Sequence, residues 1–310
     1  MLALGGIFAG LAWAFLIELV LDRSIRRPVE IEAKLKVPLF LSIPDVNRNG
    51  HARLAKAAGR RQLQLNTSAE TTAGDSPIAG TDPLRDKNSG LQVVSLERSP
   101  ALQPFYESLR DRLIVYFEVQ NLTHKPKLVA VTSAGHGAGV SSIAAGLASS
   151  LSETGEGNVL LVDMNVEQGA AQQFFKGKAG CGLDTALKSE SQAAALVQAN
   201  LYVVNGNANS TELPGVLPKR FSSLVPKLKA SNYDYIIFDM PPVSQTSLTS
   251  RLSRFMDMTL LVVESEKTGI EVVQQANTWL AESGATVGAV LNKTRKYVPE
   301  RLHQEFLGDK

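Results

Sequence analysis

Leu128-Val-Ala-Val-Thr-Ser133-Ala-Gly135-His-Gly137-Ala-Gly139-Val140-Ser141-Ser142 decides the fold. A run of apolar, β-forming residues enters a turn with glycine at alternate positions. A helical pattern of small residues, Ile143 to Leu151, follows. Strand, glycine-rich turn and helix in this order make the architecture of a phosphate-binding loop: the glycines let the backbone curl and aim N–H groups inward at the positive end of a helix. The strict pattern is broken twice. Ala134 holds the first glycine slot, and Val140 stands where phosphate loops carry lysine. The loop keeps its shape and lacks its main charge. The bland alternative is a tight strand-to-helix turn with no ligand.

Downstream of the loop, strand and helix patterns alternate. Strands are expected at Leu128–Ser133, Val159–Asp163, Leu201–Asn205, Tyr235–Asp239, Thr259–Val263 and Val287–Leu291. Helices are expected at Lys219–Ala230 and Ile270–Glu282, and upstream at Pro104–Val119, with Phe105, Leu109, Leu113 and Tyr116 on one side. Continuous apolar strands separated by helices imply an α/β fold, a mostly parallel sheet flanked by helices. Ligands of such sheets bind at the carboxyl ends of the strands. Two further strands end there in a carboxylate: Leu160-Leu-Val-Asp163 and Ile236-Ile-Phe-Asp239-Met-Pro-Pro242. Either aspartate can hold a metal or orient a water. Asp163 can equally cap the next helix.

The N-terminal part differs in kind. Leu2 to Leu21 is nearly unbroken apolar, about the twenty residues a membrane-spanning helix needs. Arg23, Arg26 and Arg27 follow it, which places the C-terminal side in the cytoplasm. A signal peptide would carry its basic residues before the apolar run, and a buried core helix is the other rival. Residues 1–22 are therefore read as a single-pass transmembrane helix, with Gly6 and Gly10 at a spacing that lets two such helices approach. Residues 23–46 form a juxtamembrane segment, a short amphipathic helix and an extended run ending at Pro44. Residues 47–95 lose apolar periodicity and read as a flexible linker. Its first part carries Arg48, Arg53, Lys56, Arg60 and Arg61, suited to an anionic leaflet or merely to solvent. Gln92–Leu96 suggests one short strand.

Composition narrows the partners. A net charge of +2 over 310 residues gives no reason to expect nucleic acid. One cysteine, Cys181, excludes an internal disulfide and a cysteine-built zinc site, and four scattered histidines suggest no metal cluster.

With these motifs in place, Lys127 to Lys293 resembles the cytoplasmic domain of the bacterial tyrosine kinase (BY-kinase) family, a group of deviant phosphate-loop ATPases related to the Min and Par proteins. Leu2 to Pro44 resembles the last membrane helix and Pro-rich junction of polysaccharide co-polymerases, on Gly5-Gly-Ile-Phe-Ala-Gly10, Phe15-Leu-Ile-Glu18, Asp22-Arg-Ser-Ile-Arg-Arg-Pro28 and Ser42-Ile-Pro44. The resemblance implies a deviant P-loop domain over residues 96–310 behind one transmembrane helix, at the bacterial inner membrane. It implies ATP and Mg2+ as cofactors, and polysaccharide assembly or export proteins, or further copies of the chain, as partners. Gly135, Gly137, Gly139, Ser141 and Ser142 would cradle the nucleotide phosphates, Ser141 and Asp239 would face magnesium, Asp163 and Asp239 would serve catalysis, and Asn292 would read adenine.

The chain departs from the family at several of these places. Val140 replaces the phosphate-neutralising lysine, Asn165 stands where the family has a second aspartate, and Glu167 where it has arginine. The subunit-contact motif survives in part, as Glu107 and Arg110. Tyr297 is the single tyrosine in a tail where active kinases carry a cluster. Phosphoryl transfer rests on positioning and charge stabilisation, so these losses point to a pseudo-kinase, a regulator or scaffold of exopolysaccharide or capsule assembly. An active autokinase, with Lys293 or Arg295 reaching the phosphates, is the second expectation. A Min- or Par-type positioning ATPase is the third. If only the one charge is lacking, Val140→Lys is expected to restore nucleotide binding.

Overall fold

A computed structural model describes residues 24–46, 100–155, 157–165, 181–188, 192–205 and 218–295. The expected membrane span, the linker, the strand at Gln92–Leu96, Glu167 and Tyr297 lie outside them. Among the described residues no helix is long and apolar enough to cross a membrane.

The chain runs α1 (Pro28–Leu35), β1 (Leu39–Pro44), α2 (Gln103–Val119), β2 (Lys127–Ser133), α3 (Val140–Ser152), β3 (Val159–Asp163), α4 (Leu183–Leu187), β4 (Leu196–Gln198), β5 (Leu201–Asn205), α5 (Pro218–Lys229), β6 (Tyr235–Asp239), α6 (Leu248–Leu252), β7 (Met258–Glu264), α7 (Ile270–Glu282) and β8 (Val287–Thr294). The strands form one sheet in the order β1-β8-β7-β2-β6-β3-β5-β4. Every pairing is parallel except that of β4 with β5. All six expected strands are present. β4 is too short to leave a pattern, and β1 was legible only as an extended run.

The sheet is parallel because both of its faces are covered, and the strands read as continuous apolar runs for the same reason. Alternate side chains sort to opposite faces. Val129, Val131, Leu161, Ile237 and Val262 share a core with α2 and α3. Leu128, Ala130, Leu160, Val162 and Phe238 pack with Phe221 of α5 and Leu252 of α6. Leu261, Val263 and Leu291 meet α7 and α1.

The helix α2 buries Tyr106, Leu109, Leu113 and Phe117. The expected stripe was Phe105, Leu109, Leu113 and Tyr116. Two of its members, Phe105 and Tyr116, thus sit at the margin, partly buried against the same core. Both stripes span an equal arc of the helix, so packing and not periodicity makes the choice. Leu109 and Leu113 are fully buried, each worth about 1.5–3 kcal/mol. The small residues of α3 have a packing reason. A Cβ added at Gly146 would lie 2.5 Å from the Tyr106 ring, so glycine lets α2 come down onto α3.

Residues 24–44, read from sequence as a segment ahead of the domain, are folded into it. β1 extends the sheet edge beside β8, and Ile25 is fully buried. The Ile25 amide donates to Thr268 O at 3.2 Å, and the Glu266 amide donates to Ile25 O at 2.8 Å. Helix and extended run are where the sequence places them. Their docking was not foreseen, since the segment was read as a juxtamembrane junction between the span and the linker.

Candidate functional site

β2 lies between β6 and β7; after it the chain fills the side of the sheet that holds β3 to β6, then crosses over to lay down β7 and β8 on the other side. Such a switch point is where parallel sheets open a crevice at their carboxyl edge. The glycine loop occupies it. Ser133 ends β2 and donates its Oγ proton to Gly135 O at 2.7 Å, tightening the exit. Gly137 and Gly139 have φ of +80° and +92°, which reverses the chain within a few residues. Gly139 then precedes the first turn of α3, and the Ile143 amide donates back to Gly139 O at 3.1 Å. The N–H groups of that first turn have no partner within the helix and carry its positive dipole end. Ser141 is half-buried and Ser142 exposed in the same turn.

Val140 does not face solvent in place of a lysine. It is 8% exposed and belongs to the apolar cluster under α2 and α3. The lysine slot has been absorbed into the core.

Asn292, near the end of β8, reaches the loop from the side. Its Nδ2 donates to Ala138 O at 2.8 Å, and its Oδ1 accepts from the Lys293 amide at 2.9 Å. Lys293 Nζ donates to Gly137 O at 2.7 Å and to Glu264 Oε1 at 3.0 Å. The other oxygen of Glu264 accepts from Lys267 Nζ at 3.1 Å. Behind this group Arg295 pairs with Glu266 at 2.9 Å. Glu264 and Lys267 were missed from sequence. The missed signal was there: Val262-Val263-Glu264 is another apolar run ending in a carboxylate, as at Asp163 and Asp239.

Asp163 and Asp239 are register partners at the carboxyl ends of adjacent strands, 2% and 0% exposed. Asp163 Oδ1 accepts the Asn165 amide at 3.0 Å. The segment after Asp239 is tied across the β2 exit: the Met240 amide donates to Val131 O at 2.9 Å, the Val243 amide to Ser133 O at 2.8 Å, and Thr132 Oγ1 to Pro241 O at 2.8 Å. The sheet thus brings Gly135, Gly137, Gly139, Ser141, Ser142, Asn292, Asp163 and Asp239 to one edge.

The donor set fits a hard divalent cation. A serine hydroxyl and an aspartate carboxylate are oxygen ligands of the kind magnesium takes while keeping waters and phosphate oxygens. Ser141 and Asp239 would hold it, and magnesium when bound neutralises phosphate charge. Among the described residues no cluster of three or more His, Cys, Asp and Glu offers a self-sufficient metal cage, so a cation here would depend on the ligand's own oxygens.

A parallel sheet with a glycine loop at its switch point and two strand-end carboxylates beside it defines the phosphate-loop class of α/β proteins. A model of the family described as cellulose biosynthesis protein BcsQ matches residues 127–281. Among individual proteins, the chain is 27% identical over 192 residues to the tyrosine-protein kinase YwqD of Bacillus subtilis, covering 60% of this chain and 79% of that one. It is 22% identical over 309 residues to a putative tyrosine-protein kinase in the cps region of Klebsiella pneumoniae, which is 95% of this chain and 38% of the relative. The solved kinase domain of the Escherichia coli tyrosine kinase ETK superposes with a TM-score of 0.59 at 15% identity, over 89% of this chain and 96% of that one. The chimerical protein CapA2B2 superposes at 0.55 and 22% identity, over 87% and 100%. The chain belongs to the family described as cellulose biosynthesis protein BcsQ, and it is similar to bacterial tyrosine kinases, with a degenerate phosphate loop.

Proposed function

We propose that this chain is a membrane-anchored regulator or scaffold of exopolysaccharide assembly, whose kinase-type domain does not transfer phosphate efficiently. One observation carries the catalytic part: the slot of the phosphate-loop lysine holds Val140, and its side chain is packed into the core. An ammonium from the first residue of α3 is what would follow the moving phosphoryl charge, and transfer chemistry depends on such charge stabilisation. Asn165 in place of a carboxylate lowers the capacity for metal and water positioning further. The polysaccharide pathway is supported by the cellulose-biosynthesis family model and the cps-region relative. The membrane part is supported by the apolar run Leu2–Leu21 and the arginines after it.

An active tyrosine autokinase is the second reading, favoured by Lys293 lying at the loop. The two separate in one assay. The purified full chain is incubated with magnesium and radiolabelled ATP, with the Bacillus subtilis relative as the positive control. The scaffold reading expects no label on the chain and hydrolysis at background. Autophosphorylation at the rate of the control would refute it.

A further inference from the structure

The charge missing from Val140 has a counterpart a short way along the same loop. Lys267 and Lys293 come from the ends of β7 and β8, and both ammonium groups converge on Glu264 beside Gly137. A Cβ built on Gly137 would lie 3.6 Å from Lys267 Nζ and 4.0 Å from Glu264 Oε2. Lys293 Nζ is on the Gly137 carbonyl itself at 2.7 Å. One carboxylate shared by two ammonium groups leaves a net positive charge at the loop. The neighbouring pair, Arg295 with Glu266, is neutral as a unit. Glu264 is 12% exposed at its side chain, whereas Lys267 and Lys293 are 66% and 39% exposed. The carboxylate is therefore fixed and the ammonium groups are the parts free to turn toward solvent. Lys293 holds a left-handed backbone, φ +59°, a conformation that costs a non-glycine residue energy and persists only where its surroundings over-determine it.

We propose that Lys267 and Lys293, held at the glycine loop by Glu264, supply the ammonium charge for binding a phosphate group that the loop lacks at position 140. This rests on the reading of the domain as a phosphate-loop fold and deepens it: the site holds a phosphate group without the residues that transfer one. Glu264 acts as a built-in competitor, since it occupies the donors that an incoming phosphate needs. A pair of charged hydrogen bonds from a lysine is replaced rather than created on binding, so affinity is expected to be moderate and to fall with salt. The phosphate can be that of a nucleotide or free inorganic phosphate.

Calorimetric binding to the purified full chain, with magnesium-ADP in one arm and inorganic phosphate in the other, tests this. Lys267→Met, Lys293→Met and Glu264→Gln are run alongside, with melting temperatures recorded for each. The lysine variants are expected to weaken binding about tenfold each, the loss of one charge-assisted hydrogen bond. Glu264→Gln is expected to tighten it about threefold or more, because it releases both ammonium groups. A purely structural clamp predicts the reverse sign for Glu264→Gln, since removing its hub loosens the loop. Weaker binding in Glu264→Gln, or unchanged affinity in Lys267→Met, would overturn the proposal, and so would a natural chain that binds neither probe at millimolar concentration. That last result leaves the scaffold reading standing. Efficient turnover by the natural chain would remove the scaffold reading and leave the lysine assignment to the variants. Saturation by ADP but not by phosphate identifies a nucleotide as the source, and binding of both with similar strength identifies the phosphate group alone.

Discussion

Gly139→Ala is the most exacting probe of the loop, because two costs can be worked out for it separately. The residue has φ +92°, where an alanine loses about 1–2 kcal/mol to its own Cβ. That Cβ would also lie 2.5 Å from Asn292 Nδ2, inside contact distance, so Asn292 must swing away. Doing so breaks its 2.8 Å bond to Ala138 O in a buried setting, worth about 1–3 kcal/mol. The sum is about 2–5 kcal/mol, which for a domain of this size lowers the melting temperature by roughly 5–15 °C. Gly135→Ala is the internal control. Nothing lies within 4 Å of its added Cβ, and its backbone is not among those with positive φ, so its melting should stay within about 2 °C of the natural chain. Thermal unfolding of the full chain by circular dichroism measures both. Equal shifts for the two variants, or none for Gly139→Ala, would refute the role given to Asn292 in fixing the loop.

Two further outcomes follow from burial. Val140→Lys is expected to cost roughly 1–3 kcal/mol of stability and, by itself, not to restore nucleotide binding, since position 140 faces the apolar cluster; a variant that melts like the natural chain and binds magnesium-ATP would reverse this. Lys127 is nearly buried beside Phe117, and burial holds its ammonium below the usual lysine range despite Asp257. Folding therefore disfavours its charged form. Below the folded pKa that cost is carried in full, and it fades as pH rises from there toward the unfolded value, where the unfolded chain binds more protons. The melting-temperature difference between Lys127→Met and the natural chain should accordingly shift in favour of the natural chain between pH 7 and pH 10; a difference independent of pH would count against it.

The sheet was legible because a strand covered on both faces must be apolar at every position, and six runs of that kind end at or near the observed boundaries. Asp163 and Asp239 were legible by the same logic, as carboxylates that close such runs. What escaped were the relations between distant residues. Lys293 and Gly137 are 156 positions apart, and no local pattern announces that the end of β8 will lie on the loop. The inward turn of Val140 was equally hidden: valine shows the loss of a charge, while only the packing shows that its side chain belongs to the core. The one-residue error in the buried face of α2 arose because aromatic residues flank both candidate stripes, and helix periodicity alone does not choose between Phe105 and Tyr106.

The edge strand β1 also sets an order of events in time. Ser42 and Thr294 touch across the sheet, yet they are 252 positions apart in the chain. β1 leaves the ribosome long before β8 exists to receive it, at synthesis rates of about 5–20 residues per second. The first described strand to be made is thus the last to be paired in the sheet, although the Tyr116 ring of α2 becomes available to Phe40 well before β8 does. During that wait the chain presents an open strand edge to its neighbours. The cost of a late-arriving partner strand is therefore paid during biogenesis, and it will show as aggregation of truncated chains that end before Val287.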